Sequence, residues 1–159
     1  MTKPWLSLSV VVGLVFMLAT PAWADYQAAG DAYNRGDYDT ALKEWRPLAE
    51  QGEPVAQNNL GTMYSRGQGV PQDYQEAIRW YRLAAEQRVA SAQYNLGLMF
   101  FKGQGVPRNY VRAYMWASLA AAQGVEESAK GVEFLEKEMA PAQIAEAQRL
   151  AREWTPKGE

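Results

Sequence analysis

Apolar residues recur at helical spacing over most of the chain. Ala92, Leu96, Met99 and Phe100 fall on one helical face. Gly103 and Gly105 follow, where left-handed backbone is cheap only for glycine. Pro107 cannot extend the preceding helix, and Val106 before it is biased to extended geometry. A second helix is predicted over residues 109–122, with Tyr110, Ala113, Trp116, Ala117 and Ala120 as its apolar stripe. Beyond residue 125 the pattern changes. One helix is predicted over residues 126–139, with Val132, Leu135 and Met139 on one face. Another starts at Pro141, a residue suited to a first helical turn, and carries Ile144, Ala147, Ala151 and Trp154 as its stripe.

The helix, loop, helix pattern is a repeat. Residues 56–87 align with residues 92–123 at a shift of 36. Leu60-Gly61 becomes Leu96-Gly97, and Gly67-Gln68-Gly69-Val70-Pro71 becomes Gly103-Gln104-Gly105-Val106-Pro107. Tyr74, Ala77, Trp80, Ala84-Ala85 and Gln87 become Tyr110, Ala113, Trp116, Ala120-Ala121 and Gln123. A shorter copy precedes them. Asp37-Tyr38, Ala41, Ala49 and Glu50-Gln51 match at a shift of 36, whereas Gly30 and Tyr33 match Gly61 and Tyr64 at 31. The five missing residues fall in the turn at Arg35-Gly36-Asp37, so both helices are kept. Gly61 and Gly97 sit inside helices, where glycine costs roughly 1 kcal/mol relative to alanine. Their recurrence at one phase predicts a close helix–helix approach.

Units of this kind stack, and a stack needs an atypical terminal element to cover its last apolar face. The predicted organisation is an export segment at residues 1–24, repeats at 25–124 (25–52, 53–88 and 89–124) and a helical cap at 125–159. The motifs L-G-x-x-Y/F, G-x-G-V-P-x-x-Y, A-x-x-W and A-A-x-Q resemble the Sel-1-like repeat family, relatives of the tetratricopeptide repeats with a longer inter-helix loop. The tail from Met139 to Gln148 also resembles the end of many bacterial members. The resemblance implies an all-α, right-handed α/α solenoid that binds another protein or a peptide and often serves as an adaptor. Two departures stand out. The first unit lacks the long loop and the L-G pair, and Arg88 stands where Gly52 and Gly124 stand in the neighbouring units.

In related solenoids the concave face is lined by the first helix of each unit. The in-phase residues not assigned to packing are Asn58, Asn59, Thr62 and Arg66 in one unit and Tyr94, Asn95, Leu98 and Lys102 in the next. Asn59 and Asn95 share a phase at which tetratricopeptide relatives grip a peptide backbone or terminal carboxylate, assisted by Lys or Arg. An amide suits that work because it both donates and accepts hydrogen bonds. The alternative is that both Asn residues serve helix packing.

Residues 5–18 are uncharged and mostly Val, Leu, Phe and Met, with Lys3 before them and Ala22-Trp23-Ala24 after them. This is the pattern of a cleaved secretory signal, with cleavage following Ala24. The stretch is short for a membrane span of roughly 20 residues. The expected product is periplasmic or secreted, the alternative an uncleaved anchor with a purely structural role.

Composition narrows the chemistry. The chain has 16 Lys and Arg against 18 Asp and Glu, a net charge of −2, which argues against a nucleic-acid surface. It has no His and no Cys, which removes thiol nucleophiles, the usual Ser–His relay and the common metal ligands. The glycine loops lack the Gly-Lys-Ser/Thr of a phosphate loop, so they read as turns. Trp80, Trp116, Tyr74 and Tyr110 read as packing residues, whereas Trp45 and Trp154 are less constrained by the repeat. Carboxylates are the one catalytic option, with Glu126-Glu127 and Glu133, Glu136 and Glu138 as an acid/base set for polysaccharide cleavage. The competing reading is a solvated helix face with Glu133 able to pair with Lys137. No catalytic residue, metal or cofactor is therefore expected. The expected partner is a protein or peptide, with pairing of two chains through the tail helices as an addition.

Overall fold

A computed structural model describes residues 22–156, with side chains from Tyr26 onward. Most of the expected export segment, residues 1–21, lies outside the described residues. Among the described residues there are eight helices and no strand: α1 (Ala22–Asn34), α2 (Tyr38–Glu50), α3 (Pro54–Arg66), α4 (Tyr74–Glu86), α5 (Ala90–Lys102), α6 (Tyr110–Ala122), α7 (Glu126–Glu138) and α8 (Pro141–Glu153). Each is 13 residues long, or about 20 Å. α1 packs on α2, α3 on α4 and α5 on α6. Each second helix then packs on the first helix of the following pair. At the end of the stack, α7 and α8 both dock on α6.

The repeat is visible in the helix ends. Asp37, Asp73 and Asn109, 36 residues apart, cap α2, α4 and α6. Their side chains accept from Thr40 N at 3.2 Å, from Gln75 N and Glu76 N at 2.9 and 3.1 Å, and from Arg112 N at 2.9 Å. Each such cap contributes about 1 kcal/mol. The same helices end alike. A residue at positive φ (Gly52, Arg88 or Gly124) turns the chain. The next N–H then bonds back into the last turn: Glu53 to Leu48, Val89 to Ala84 and Val125 to Ala120, at 3.0, 3.1 and 3.2 Å. Arg88 thus follows the path of the two glycines at φ 66°, a conformation that disfavours a side-chain-bearing residue by about 1–2 kcal/mol.

The core forms two clusters that meet at Tyr64. One holds Ala29, Ala32, Trp45, Leu60 and Trp80, the other Tyr81, Leu96, Phe100, Trp116 and Leu135 among others. Trp45 is 4% exposed and lies between Tyr26 and Tyr33, so the residue left unassigned by the repeat is a core residue. Trp154 meets Trp116 edge to face at 6.0 Å, which fixes the end of α8 on α6.

The glycines inside α3 and α5 let the paired helices touch. A Cβ on Gly61 would stand 2.6 Å from the Tyr81 ring, and one on Gly97 would stand 3.3 Å from the Ala113 carbonyl. The long loops serve a second purpose beyond turning. Gly69 lies against Tyr38 and Gly105 against Tyr74, so each loop rests on the start of the previous unit's second helix. Gln68 Nε2 donates to Tyr38 Oη at 2.8 Å, and Gln104 Nε2 to Tyr74 Oη at 3.1 Å.

Gly61→Ala should lower the unfolding free energy by about 1–3 kcal/mol, because the buried Tyr81 ring has to move, despite the gain in helix propensity. Gly131→Ala, with nothing within 4 Å of the added carbon, should raise it by about 0.5–1 kcal/mol. Urea denaturation of the two variants checks the opposite signs.

Candidate functional site

The first helices α1, α3 and α5 lie side by side and bond directly to one another. Asn59 Nδ2 donates to Tyr26 Oη at 3.3 Å, Arg66 Nη1 to Tyr33 Oη at 3.3 Å, and Asn95 Nδ2 to Asn58 Oδ1 at 3.3 Å. Between neighbouring first helices run three clefts in repeat register, each floored by a second helix. The first, 240 Å³, lies between α1 and α3 over Trp45. The middle one, 290 Å³, lies between α3 and α5 over Tyr74 and Tyr81. The last, 330 Å³, lies between α5 and α7 over Ala113 and Ala117.

The eight residues singled out from the sequence divide among these clefts. Asn59 lines the first, and Thr62 stands between the first and the middle. Arg66, Asn95 and Lys102 line the middle cleft, Tyr94 lines the last, and Leu98 forms the ridge shared by those two. Asn58 differs. It is 8% exposed, and its side chain is taken up by Asn95. It is a packing residue, drawn beneath the neighbouring first helix instead of facing the groove.

The clefts differ in chemistry. The middle one carries Arg66 and Lys102, both exposed, and no carboxylate in its lining. Its floor is held by Tyr81, whose hydroxyl donates to Thr62 Oγ1 at 3.2 Å and lies 3.2 Å from Ser65 Oγ. Burial pushes the Tyr81 phenol above its usual range, against the lowering effect of those two bonds. Tyr26 is also raised by burial. The last cleft is lined by Gly97, Leu98, Phe101, Phe134 and Leu135, with Glu127 as its charged residue.

The acidic residues of α7 do not gather into one site. Glu126 is exposed and pairs with Lys130 at 2.7 Å, an i,i+4 pair on this helix. Glu136 accepts from Tyr114 Oη at 2.8 Å, and Tyr114 in turn accepts from Gln148 Nε2 at 3.2 Å, tying α6 to both cap helices. Burial, first, also raises the Tyr114 phenol. Glu133 and Glu138 are exposed. Among the described residues no three acidic, His or Cys side chains cluster as metal ligands.

Sequence reading missed a pair of buried amides. Gln57 and Gln93, 4% and 0% exposed, donate through Nε2 to the carbonyls of Ala49 and Ala85 at 3.1 and 3.2 Å. Each accepts in turn from the glutamine at the end of its own unit. Gln87 Nε2 reaches Gln57 Oε1 at 2.9 Å, and Gln123 Nε2 reaches Gln93 Oε1 at 2.7 Å. The signal was present, because Gln57 and Gln93 share a phase next to the fully buried Ala56 and Ala92.

Residues 54–89 and 90–125 each match the model of the Sel1 repeat. Among solved structures, the chain is similar to c5321, a protective antigen present in uropathogenic Escherichia coli strains displaying an SLR fold. Identity is 31% and the TM-score 0.79, over 84% of this chain and 29% of that one. It is also similar to a Sel1 repeat protein from Oxalobacter formigenes, at 32% identity and a TM-score of 0.68, over 80% of this chain and 55% of that one. No curated protein matches the chain. The stack of helix pairs is thus an α/α solenoid that carries two Sel1 repeats. It spans less than a third of the first of these neighbours and about half of the second. Sel1 repeats generally mediate protein–protein interaction, on a fold that is typically a non-enzymatic scaffold.

The raised tyrosines set an alkaline limit. Their protonated form is favoured in the folded chain, so the contribution is complete below the unfolded value near pH 10 and is lost as pH rises through the folded value. Unfolding free energy should fall as pH rises above about 10. Tyr81→Phe should be less stable at pH 8 by about 0.5–1.5 kcal/mol but show a shallower alkaline decline. Urea denaturation at pH 8, 10 and 11 checks both.

Proposed function

We propose that this protein is an exported adaptor that binds another protein or a peptide along its first-helix face, without catalysing a reaction. The observation that carries the reading is the set of three clefts in register, whose packing residues repeat while their linings differ. A repeat that served stacking alone would have no need of unlike clefts. The middle cleft, with Arg66, Lys102 and Asn95, suits a carboxylate of the partner, either an acidic side chain or a chain terminus. Arg66 and Asn95 are already held by hydrogen bonds, so little of their ordering entropy is lost on docking. A partner covering roughly 800 Å² would occupy all three clefts. The export reading rests on Lys3, the apolar stretch at residues 5–18 and the Ala22-Trp23-Ala24 site, and places the mature protein in the periplasm or outside the cell. Pairing of two chains through the cap is a second arrangement, favoured by Phe134, which is 48% exposed on α7.

Photo-crosslinking in cells tests the face. A crosslinker at Leu98, on a chain shown by intact mass to begin at Asp25, should give one discrete adduct. A crosslinker at Leu83, exposed between the second helices α2 and α4, should not give it. Arg66→Glu with Lys102→Glu should abolish the Leu98 adduct while leaving helicity unchanged. Diffuse adducts, or the same adduct from both positions, would remove the first-helix face as the binding surface.

A further inference from the structure

The last cleft is apolar because the third unit lacks a ring that the earlier units carry. Trp45, Tyr81 and Ala117 share one repeat phase, 36 residues apart. Trp45 and Tyr81 are both core residues, 4% and 3% exposed. Tyr81 lies against Gly61, with its hydroxyl held by Thr62 and Ser65. In the next unit those positions become Ala117, Gly97, Leu98 and Phe101. The ring is gone, and the two groups that bonded its hydroxyl have become apolar. The cleft there is 330 Å³, against 240 and 290 Å³ over Trp45 and Tyr81, and differs from them chiefly in its apolar lining. A dry apolar cavity of about 150 Å³ is enough to bind benzene.

Two further observations point to a ligand. Ser128 lines the cleft, is 1% exposed, and its Oγ has no hydrogen-bond partner. A buried hydroxyl left so is destabilising until something bonds to it. Glu127 is the charged residue of the lining, whereas its neighbour Glu126 is paired with Lys130. The cleft therefore complements a cation beside an apolar group, the reverse of the middle cleft with its Arg66 and Lys102.

We propose that this cleft receives an aromatic side chain of the bound protein, a phenylalanine adjacent to a lysine or arginine, seated among Leu98, Phe101, Phe134 and Leu135. The Ser128 hydroxyl bonds the backbone of the incoming segment, and Glu127 meets its cation. The inference rests on the binding reading above and names what one of its three clefts holds. A phenol is the poorer occupant, because Leu98 and Phe101 stand where Thr62 and Ser65 hold the Tyr81 hydroxyl in the preceding unit.

The test is a titration of ¹⁵N-labelled protein with blocked tetrapeptides, Gly-Phe-Lys-Gly, Gly-Tyr-Lys-Gly, Gly-Phe-Glu-Gly and Gly-Ala-Lys-Gly. The first should shift the amides of Gly97, Ala117 and Gly131. Tyr and Glu versions should bind several-fold more weakly, and the Ala version should shift nothing. Ala117→Tyr, which restores the missing ring, should weaken the Phe-Lys peptide by about tenfold or more. Gly131→Leu fills the cleft from α7 and should do the same; it keeps the test decisive if the first variant folds poorly. Ser128→Ala should melt higher than the parent yet bind the peptide more weakly. Shifts at other sites only, or equal binding to both filled variants, would overturn the proposal. So would dimerisation by light scattering with the same amides shifting on concentration alone, which would make the occupant a second copy. If the Leu98 crosslink survives in Ala117→Tyr, the binding face stands and this occupant does not.

Discussion

Two buried glutamines hold the stack in register. The carbonyls in the last turn of a helix have no N–H of their own helix to bond. At Ala49 and Ala85 the turn N–H groups of Gly52 and Arg88 bond one lone pair of each carbonyl at 3.0 Å, and the other lone pair takes a second donor. Gln57 and Gln93 supply one from the next unit's first helix, and Gln87 and Gln123 then satisfy the glutamine oxygens. Apolar contact is non-directional and would tolerate sliding of one pair along the next. A buried amide with both ends satisfied does not, because any shift leaves polar groups unpaired. The loops add a second tie on the opposite end of the helices, through Gln68 on Tyr38 and Gln104 on Tyr74.

Fixing the register frees the first-helix face to vary. Gly61 and Gly97 bring the paired helices close in both full units, so the width of each cleft is set by what the second helix places on its floor. Tyr81 makes that floor polar and full, whereas Ala117 leaves it low and apolar. Substitutions at Thr62/Leu98, Ser65/Phe101 and Tyr81/Ala117 change what the cleft presents without touching the glutamine ties. The glutamine ties and the residues that distinguish the middle and last clefts are thus separate positions of the same units.

The fold was legible because the 36-residue shift repeats caps, loops and stripes together. The helix expected over residues 109–122 is Tyr110–Ala122, with Asn109 as its cap. The helix expected over 126–139 is Glu126–Glu138. Depth between adjacent first helices was less legible. Periodicity gives the face a residue occupies but not how far the next unit overhangs it, so Asn58 and Asn59 read alike although only Asn59 reaches a cleft. Gln57 and Gln93 were overlooked because a polar side chain is ordinarily solvated, and their burial depends on the preceding helix ending above them. The emptiness over Ala117 was hidden for a related reason. It depends on where α7 runs, and α7 lies outside the repeat.

The central claim is that the glutamine ties, more than apolar contact, set the stack. Equilibrium urea unfolding of Gln57→Ala, Gln93→Ala and the double variant tests it most directly, followed by both helicity and Trp fluorescence. Each single substitution should lower stability by about 1–3 kcal/mol, from the lost buried hydrogen bonds and the space left behind. In the double variant the two probes should part, as units begin to unfold separately. Midpoints unchanged within about 0.5 kcal/mol, with the probes still coincident, would contradict the account and return the register to side-chain packing alone.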